Sequence, residues 1–215
     1  MKNKKSKIIL ILILTVISVL FIAPIVMVFM NSFKSKLFIN STPFAFPNAD
    51  SFVGLANYGE GMIKTGFLQA FFITLFITVA SVFLIVVLTS MTAWYLVRVK
   101  SRFTKVMYYL FAFAMIVPFQ MVMFTMVDLA DKFHLRNPLG MCILYLGFGA
   151  GLSVFMFSGF VKSIPLEIEE AAMIDGCNPL QTYFRVVFPI LKPTAITVAI
   201  LNVMWIWNDF LLPYL

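Results

Sequence analysis

From Ile8 to Phe33 the chain carries no charged side chain, and the same is true from Gly66 to Val97. Each run exceeds the roughly 20 apolar residues that an α-helix needs to cross the hydrocarbon core of a bilayer. Two more runs, Val106 to Val127 and Leu139 to Val161, follow, and another begins at Thr194. Apolar residues make up 62% of the 215 and charged ones 12%, so a water-soluble core of this length could not hide the apolar surface. The solvent must be lipid. The expected fold is an all-α polytopic membrane protein, one transmembrane domain over 1–215, with spans at about 8–33, 67–97, 106–127, 139–161 and 194–215.

The charges fix an orientation. Lys2, Lys4, Lys5 and Lys7 precede the first span, and Arg98, Lys100, Arg102 and Lys105 follow the second with no acid among them. Base-rich ends belong in the cytoplasm, so the N-terminus is expected inside. Alternation then puts 34–65 and 128–138 outside and 162–193 inside. The first run is too long for a signal-peptide core, and Pro24 after Ala23 hinders cleavage there, so it reads as a retained anchor. The segment 34–65, rich in Pro, Gly and Asn, reads as an ordered external loop. The net charge of +7 sits at span ends, which marks membrane lipid rather than nucleic acid as the neighbour. Cys142 and Cys177 give no disulfide framework. Five spans leave the C-terminus outside.

The polar stretch from Lys162 to Pro193 reads as two short helices joined at a glycine. Ser163 is placed to cap the first, with Pro165 in its first turn and Glu167, Glu169 and Glu170 near the positive end of its dipole. Ile164, Ile168, Ala171 and Ala172 make a narrow apolar stripe. Gly176 is placed to stop that helix in a left-handed conformation. Asn178-Pro179 restarts a helix with Gln181 in the capping-box position, and Pro189 and Pro193 are expected to end it. One reading is a helix lying on the lipid surface, but three acids without a base oppose anionic headgroups. The other is a docking element with an apolar face and an acidic rim.

Glu170-Ala171-Ala172, then Gly176, then Val186, Phe188 and Pro189 resemble the EAA loop of permease subunits in ATP-binding-cassette importers. The family pattern is E-A-A, three residues, G, nine residues, then I-x-L-P, and this chain departs from it by Val186 and Phe188. The resemblance extends to Asn31-Ser32-Phe33-Lys34, Ser163-Ile164-Pro165, Asp175-Gly176 and Trp207-Asn208-Asp209-Phe210. These are similar to carbohydrate-importer permeases of the smaller subunit type found in maltose and glycerol-phosphate systems. The resemblance implies a type I importer transmembrane domain whose loop residues Glu170, Ala171, Ala172, Asp175, Gly176, Val186, Phe188 and Pro189 couple to a cytoplasmic ATPase. It also implies a second permease subunit in a heterodimer, two ATPase subunits and an extracellular solute-binding protein. Permeases of this type carry six spans and end inside, so the chain is expected to be truncated after five.

Within the spans, Asn202, Trp205 and Asp209 share a face of the fifth. An indole beside an amide and a carboxylate suits a sugar ring, stacked on one face and hydrogen-bonded at its hydroxyls, and an acid near membrane depth is a functional candidate. The competing reading makes Trp205 and Trp207 an interfacial belt and leaves Asp209 solvated. Thr74, Thr78, Ser81, Thr89 and Thr92 fall in one sector of the second span, where they either bond across helices or line a wet path. Gly147 and Gly151, with Ser158, suggest close helix packing in the fourth. Gln120 and Asp128 could share one face of the third, with Asp128 itself read as lying outside that span, and His134 reads as a solvated loop residue. No nucleophile triad, zinc spacing or phosphate-binding glycine loop occurs, so the chain is read as a transport component that binds no cofactor, with ATP on another subunit. The alternative is a membrane scaffold or a secondary transporter component docking a different cytosolic partner.

Overall fold

The computed structural model describes residues 4–214, so Lys2 and Leu215, the last residue of the fifth expected span, lie outside the described residues. The chain divides into two compact units, Met1–Ala70 and Phe71–Leu215.

In the first unit, α1 (Lys4–Asn31) runs unbroken through Pro24, two residues shorter at its end than the uncharged run. It stops where polar groups begin to serve the loop. The Asn31 amide donates to the carbonyls of Met27 (2.9 Å) and Pro43 (2.8 Å). Lys34, only 1% exposed, donates through Nζ to the Thr42 carbonyl at 2.8 Å. Phe33 sits among the rings of Phe29, Phe52 and Tyr58, and Lys34 pairs with Phe52 in an isolated antiparallel bridge. The segment 34–65 is therefore ordered, as expected, and carries two short helices, α2 (Lys36–Ser41) and α3 (Ala56–Lys64). On α3, Glu60 accepts from Lys64 at 2.6 Å, and that hydrogen bond holds its carboxyl below the usual range.

The second unit holds α4 (Phe67–Arg98, beginning just before it), α5 (Arg102–Ala114), α6 (Phe119–Lys132), α7 (Pro138–Val161) and α8 (Leu166–Ile174). After them come α9 (Pro179–Thr182), a π-helical turn (Tyr183–Val187), α10 (Phe188–Asn208) and α11 (Leu211–Tyr214). Among the described residues, four helical segments are long and apolar enough to cross a membrane: Ser6–Asn31, Phe67–Arg98, Pro138–Val161 and Pro179–Asn208. The core is built where α7 packs against α5 and α10, around Ile85, Tyr145, Phe157, Tyr183, Leu191 and Val198.

Two expectations about proline need correction. The run 106–127 is not one straight span: α5 ends at Ala114 and α6 restarts at Phe119, bent by 107°. Pro118 lacks an N–H and pushes Val117 toward extended backbone, and it becomes the N-cap of α6 (φ −68°, ψ 142°). Phe119 then locks the new direction by an edge-on contact with Phe148 at 5.2 Å. Conversely, Pro189 and Pro193 do not end a helix, and no new helix begins at Thr194. The helix is continuous from Pro179 to Asn208. The widened turn at Tyr183–Val187, where Phe188 donates to the Tyr183 carbonyl five residues back, absorbs the donor that Pro189 lacks and the crowding of its ring. Pro193 lies inside α10.

Candidate functional site

The polar stretch is organised by a carboxylate. Glu169 is 2% exposed, and its Oε1 accepts from Arg98 Nε at 2.8 Å with Arg98 Nη2 at 2.7 Å. Its Oε2 accepts from the Trp94 indole at 2.9 Å, and Arg98 Nη2 also donates to the Ile164 carbonyl at 2.9 Å. Trp94 and Arg98 stand one turn apart at the end of α4. A buried pair of this kind is costly to break from one side, about 3–5 kcal/mol, because it strands a charge. Trp94 also packs on Tyr183 at 5.3 Å, and the Tyr183 hydroxyl bonds Ser90 at 2.6 Å. The last turns of α4 thereby hold both halves of the stretch at once.

This clamp changes the expected faces of α8. Of the three acids, Glu169 turns inward while Glu167 and Glu170 stay exposed. Ile164 and Ala172 are buried, but Ile168 and Ala171 are exposed, so the four do not form one buried stripe. The rotation of a nine-residue helix is set by where Glu169 meets Arg98. Ser163 does not cap: its hydroxyl reaches back to the Phe160 carbonyl at 2.7 Å, and Pro165 occupies the N-cap.

The joint behaves as the sequence predicts. Gly176 has φ +89°, Cys177 N–H donates to the Ala172 carbonyl (3.0 Å) and Gly176 N–H to that of Met173 (3.1 Å), the paired bonds of a glycine-terminated helix. Asn178 and Gln181 exchange side-chain and backbone bonds of 2.9 Å in a capping box. Asp175 and Gly176 are exposed, Val186 and Phe188 half-buried, and Pro189 exposed.

Asn202, Trp205 and Asp209 do share a face, and it is the face turned to α7. Asn202 Nδ2 donates to the Val198 carbonyl (2.8 Å) and Ser153 Oγ (3.3 Å). Gly149 makes room for it, since a Cβ there would lie 2.9 Å from Asn202 Oδ1. The Tyr145 hydroxyl donates to Asp209 Oδ2 at 3.0 Å, and its ring meets Trp205 edge-on at 5.5 Å. Asp209 Oδ1 accepts from the Leu211 N–H at 3.1 Å. Trp205 remains 40% exposed, and Trp207 packs edge-on against Phe71 at 5.7 Å. Tyr145 was not among the expected residues, although Tyr145, Gly149 and Ser153 recur every fourth position along one face of α7.

Other candidates settle differently. Gly147 faces open space, and the close approach falls to Gly151, whose Cβ would lie 3.0 Å from the Phe111 carbonyl, and to Gly149. Among the described residues the five span hydroxyls make no bond to another helix. Thr89 and Thr92 turn back on their own carbonyls, and Thr78 and Ser81 are buried without a partner. Asp128, expected in the loop beyond the run, instead lies within α6, which extends to Lys132, and pairs with Lys132 at 2.6 Å. His134 is exposed at φ 54°.

Residues 85–215 match the family model of the binding-protein-dependent transport system inner membrane component. The chain belongs to that family. It is similar to the probable starch degradation products transport system permease AmyC of Thermoanaerobacterium thermosulfurigenes, at 42% identity over 93% of this chain and 72% of the relative. It is also similar to the multiple sugar-binding transport system permease MsmG of Streptococcus mutans, at 36% identity over 94% of this chain and 73% of the relative. A crystal structure of a bacterial ABC transporter that imports the acidic polysaccharide alginate shares its fold, with a TM-score of 0.79 over 97% of this chain and 74% of that one, at 24% identity. This protein is thus an inner-membrane permease component of an ABC importer, a transport subunit rather than an enzyme, working with a separate ATPase and a solute-binding protein.

Proposed function

We propose that this permease carries a carbohydrate, as a single transmembrane domain within a heterodimer served by two ATPase subunits, and that α8 is the element through which hydrolysis reaches the spans. The observation that carries the coupling reading is the outward surface of α8. Leu166, Ile168, Met173 and Ile174 are exposed there beside Glu167, Glu170 and Asp175, while Glu169 fixes the helix from within. Apolar side chains interleaved with acidic ones are a mixture that suits a docking surface for a protein partner. Glu170, Ala171, Ala172, Asp175 and Gly176 form and terminate that element, and Val186, Phe188 and Pro189 set the foot of the following span. The chain itself binds no cofactor in this reading, and ATP belongs to the partner. The substrate path runs past Asn202, Trp205 and Asp209. The names of the relatives point to sugars, and a half-exposed indole beside a carboxylate suits a sugar's apolar face and hydroxyls.

A Cβ at Gly176 meets no neighbour within 4 Å, so the cost of Gly176→Val is assigned to the left-handed backbone, on the order of 1–2 kcal/mol. It should leave the chain inserted but loosen ATPase co-purification or uncouple hydrolysis from sugar uptake, and Glu170→Lys should act in the same direction. Parent-like uptake and co-purification in both variants would remove the coupling role from α8. The N-terminus and α8 face the cytoplasm in this scheme. A membrane-impermeant thiol reagent should therefore label Ala49→Cys in intact cells and not Glu167→Cys, in a background with Cys177 replaced by serine. The reverse pattern would invert the orientation.

A further inference from the structure

Three exposed cations of this protein have an acid of their own. Lys64 pairs with Glu60 at 2.6 Å, Lys132 with Asp128 at 2.6 Å and Arg136 with Asp131 at 3.1 Å. The turn between α4 and α5 instead gathers several that have none. It opens into a cavity of about 750 Å³ to which Lys100, Arg102, Lys105 and Lys162 all contribute. Among the described residues none of the four has a carboxylate partner, and Lys162 instead lies over the Tyr108 ring at 5.1 Å. Tyr108 and Tyr109 complete the wall. Arg98 reaches the same cavity but is already engaged by Glu169.

We propose that this cavity binds the phosphate headgroup of an anionic phospholipid. Four uncompensated cations around one concavity favour a phosphate, and two phenols, apolar in body and polar at the tip, suit the headgroup level of a bilayer. The cavity does not stop at charge. Val106, Leu110 and Phe113, at i, i+4 and i+7 along α5, leave the turn as an exposed apolar stripe on which acyl chains can lie. A free anion would use the cations and ignore the stripe, whereas a lipid uses both. The site borders Arg98, so an occupied headgroup sits beside the guanidinium that holds α8.

The test is native mass spectrometry of the full chain in neutral detergent, titrated with phosphatidylglycerol, phosphatidylcholine or inorganic phosphate. Phosphatidylglycerol should be retained and the other two should not. Each neutralised cation should weaken retention by about fivefold. Lys100→Gln with Arg102→Gln, Lys105→Gln and Lys162→Gln should therefore lose it by well over tenfold, with unchanged helix content by circular dichroism. The charge-conserving set Lys100→Arg, Lys105→Arg and Lys162→Arg should stay near the parent, as should Lys64→Gln at a distant paired cation. The proposal is overturned if the parent retains no phosphatidylglycerol, if phosphatidylcholine is held equally, or if phosphate alone displaces the lipid. It is equally overturned if the neutralised chain keeps the lipid but loses its ATPase, since the cluster would then be a protein interface.

Discussion

Glu169 and Asp209 are both carboxylates held by an aromatic donor on a neighbouring helix, yet their surroundings part company. Glu169 is buried, its oxygens taken by Arg98 and the Trp94 indole. Asp209 is half-buried, takes one bond from the Tyr145 hydroxyl and one from a backbone N–H, and among the described residues has no cation. A buried charge that is fully compensated is committed to the architecture, because any other arrangement strands it. A carboxylate with unused acceptor capacity beside a half-exposed indole still has something to offer a ligand. The difference teaches that acidity near membrane depth is not by itself a sign of transport chemistry. What separates fixture from site is the count of acceptor positions left over.

The largest expected effect lies at the committed end. Glu169→Gln keeps the shape but leaves Arg98 without its counter-charge, and it should cost about 3–5 kcal/mol, read as a lower thermal midpoint and protease-sensitive α8. Pairing it with Arg98→Met should recover much of that stability without restoring uptake. If Glu169→Gln alone melts like the parent, the contrast between the two acids collapses. A smaller effect is expected at the other carboxylate. Asp209→Asn and Trp205→Ala should leave stability within about 1 kcal/mol while raising the apparent KM for uptake by ten- to hundredfold, the worth of a charge-assisted hydrogen bond of about 1.5–3 kcal/mol. Tyr145→Phe, which removes a single hydroxyl, should do less than either. Unchanged uptake in all three would make Asp209 a helix cap and nothing more.

The long helices at 4–31, 67–98 and 138–161 were legible because lipid demands long uncharged runs, and the loop was legible because Gly176, Asn178 and Gln181 act through local backbone chemistry. Proline was not legible in the same way. Pro24 and Pro193 lie inside helices, Pro189 begins α10 without ending its span, and Pro118 separates two helices. Their outcomes depend on the turn before them and on packing such as Phe119 against Phe148, which no local window contains. The acids show the same limit. Which of Glu167, Glu169 and Glu170 turns inward is decided by Arg98, some seventy residues earlier in the chain. The spacings of Trp94 with Arg98, and of Tyr145 with Gly149 and Ser153, were present in the sequence. Their meaning appears only once the helix that each set faces is known.

The unbroken helix from Pro179 to Asn208 has a mechanical consequence. At 1.5 Å per residue it is a rod about 45 Å long, with its foot in the polar stretch that Gly176 introduces and its far end next to Asp209. A tilt of roughly 5° about the foot would carry the far end sideways by about 4 Å, more than the length of a hydrogen bond. The bond from Tyr145 to Asp209 joins that far end to α7, so it would be among the first to part. Small angular displacements where the rod stands are thus converted into made-or-broken contacts where it ends, with no hinge required between.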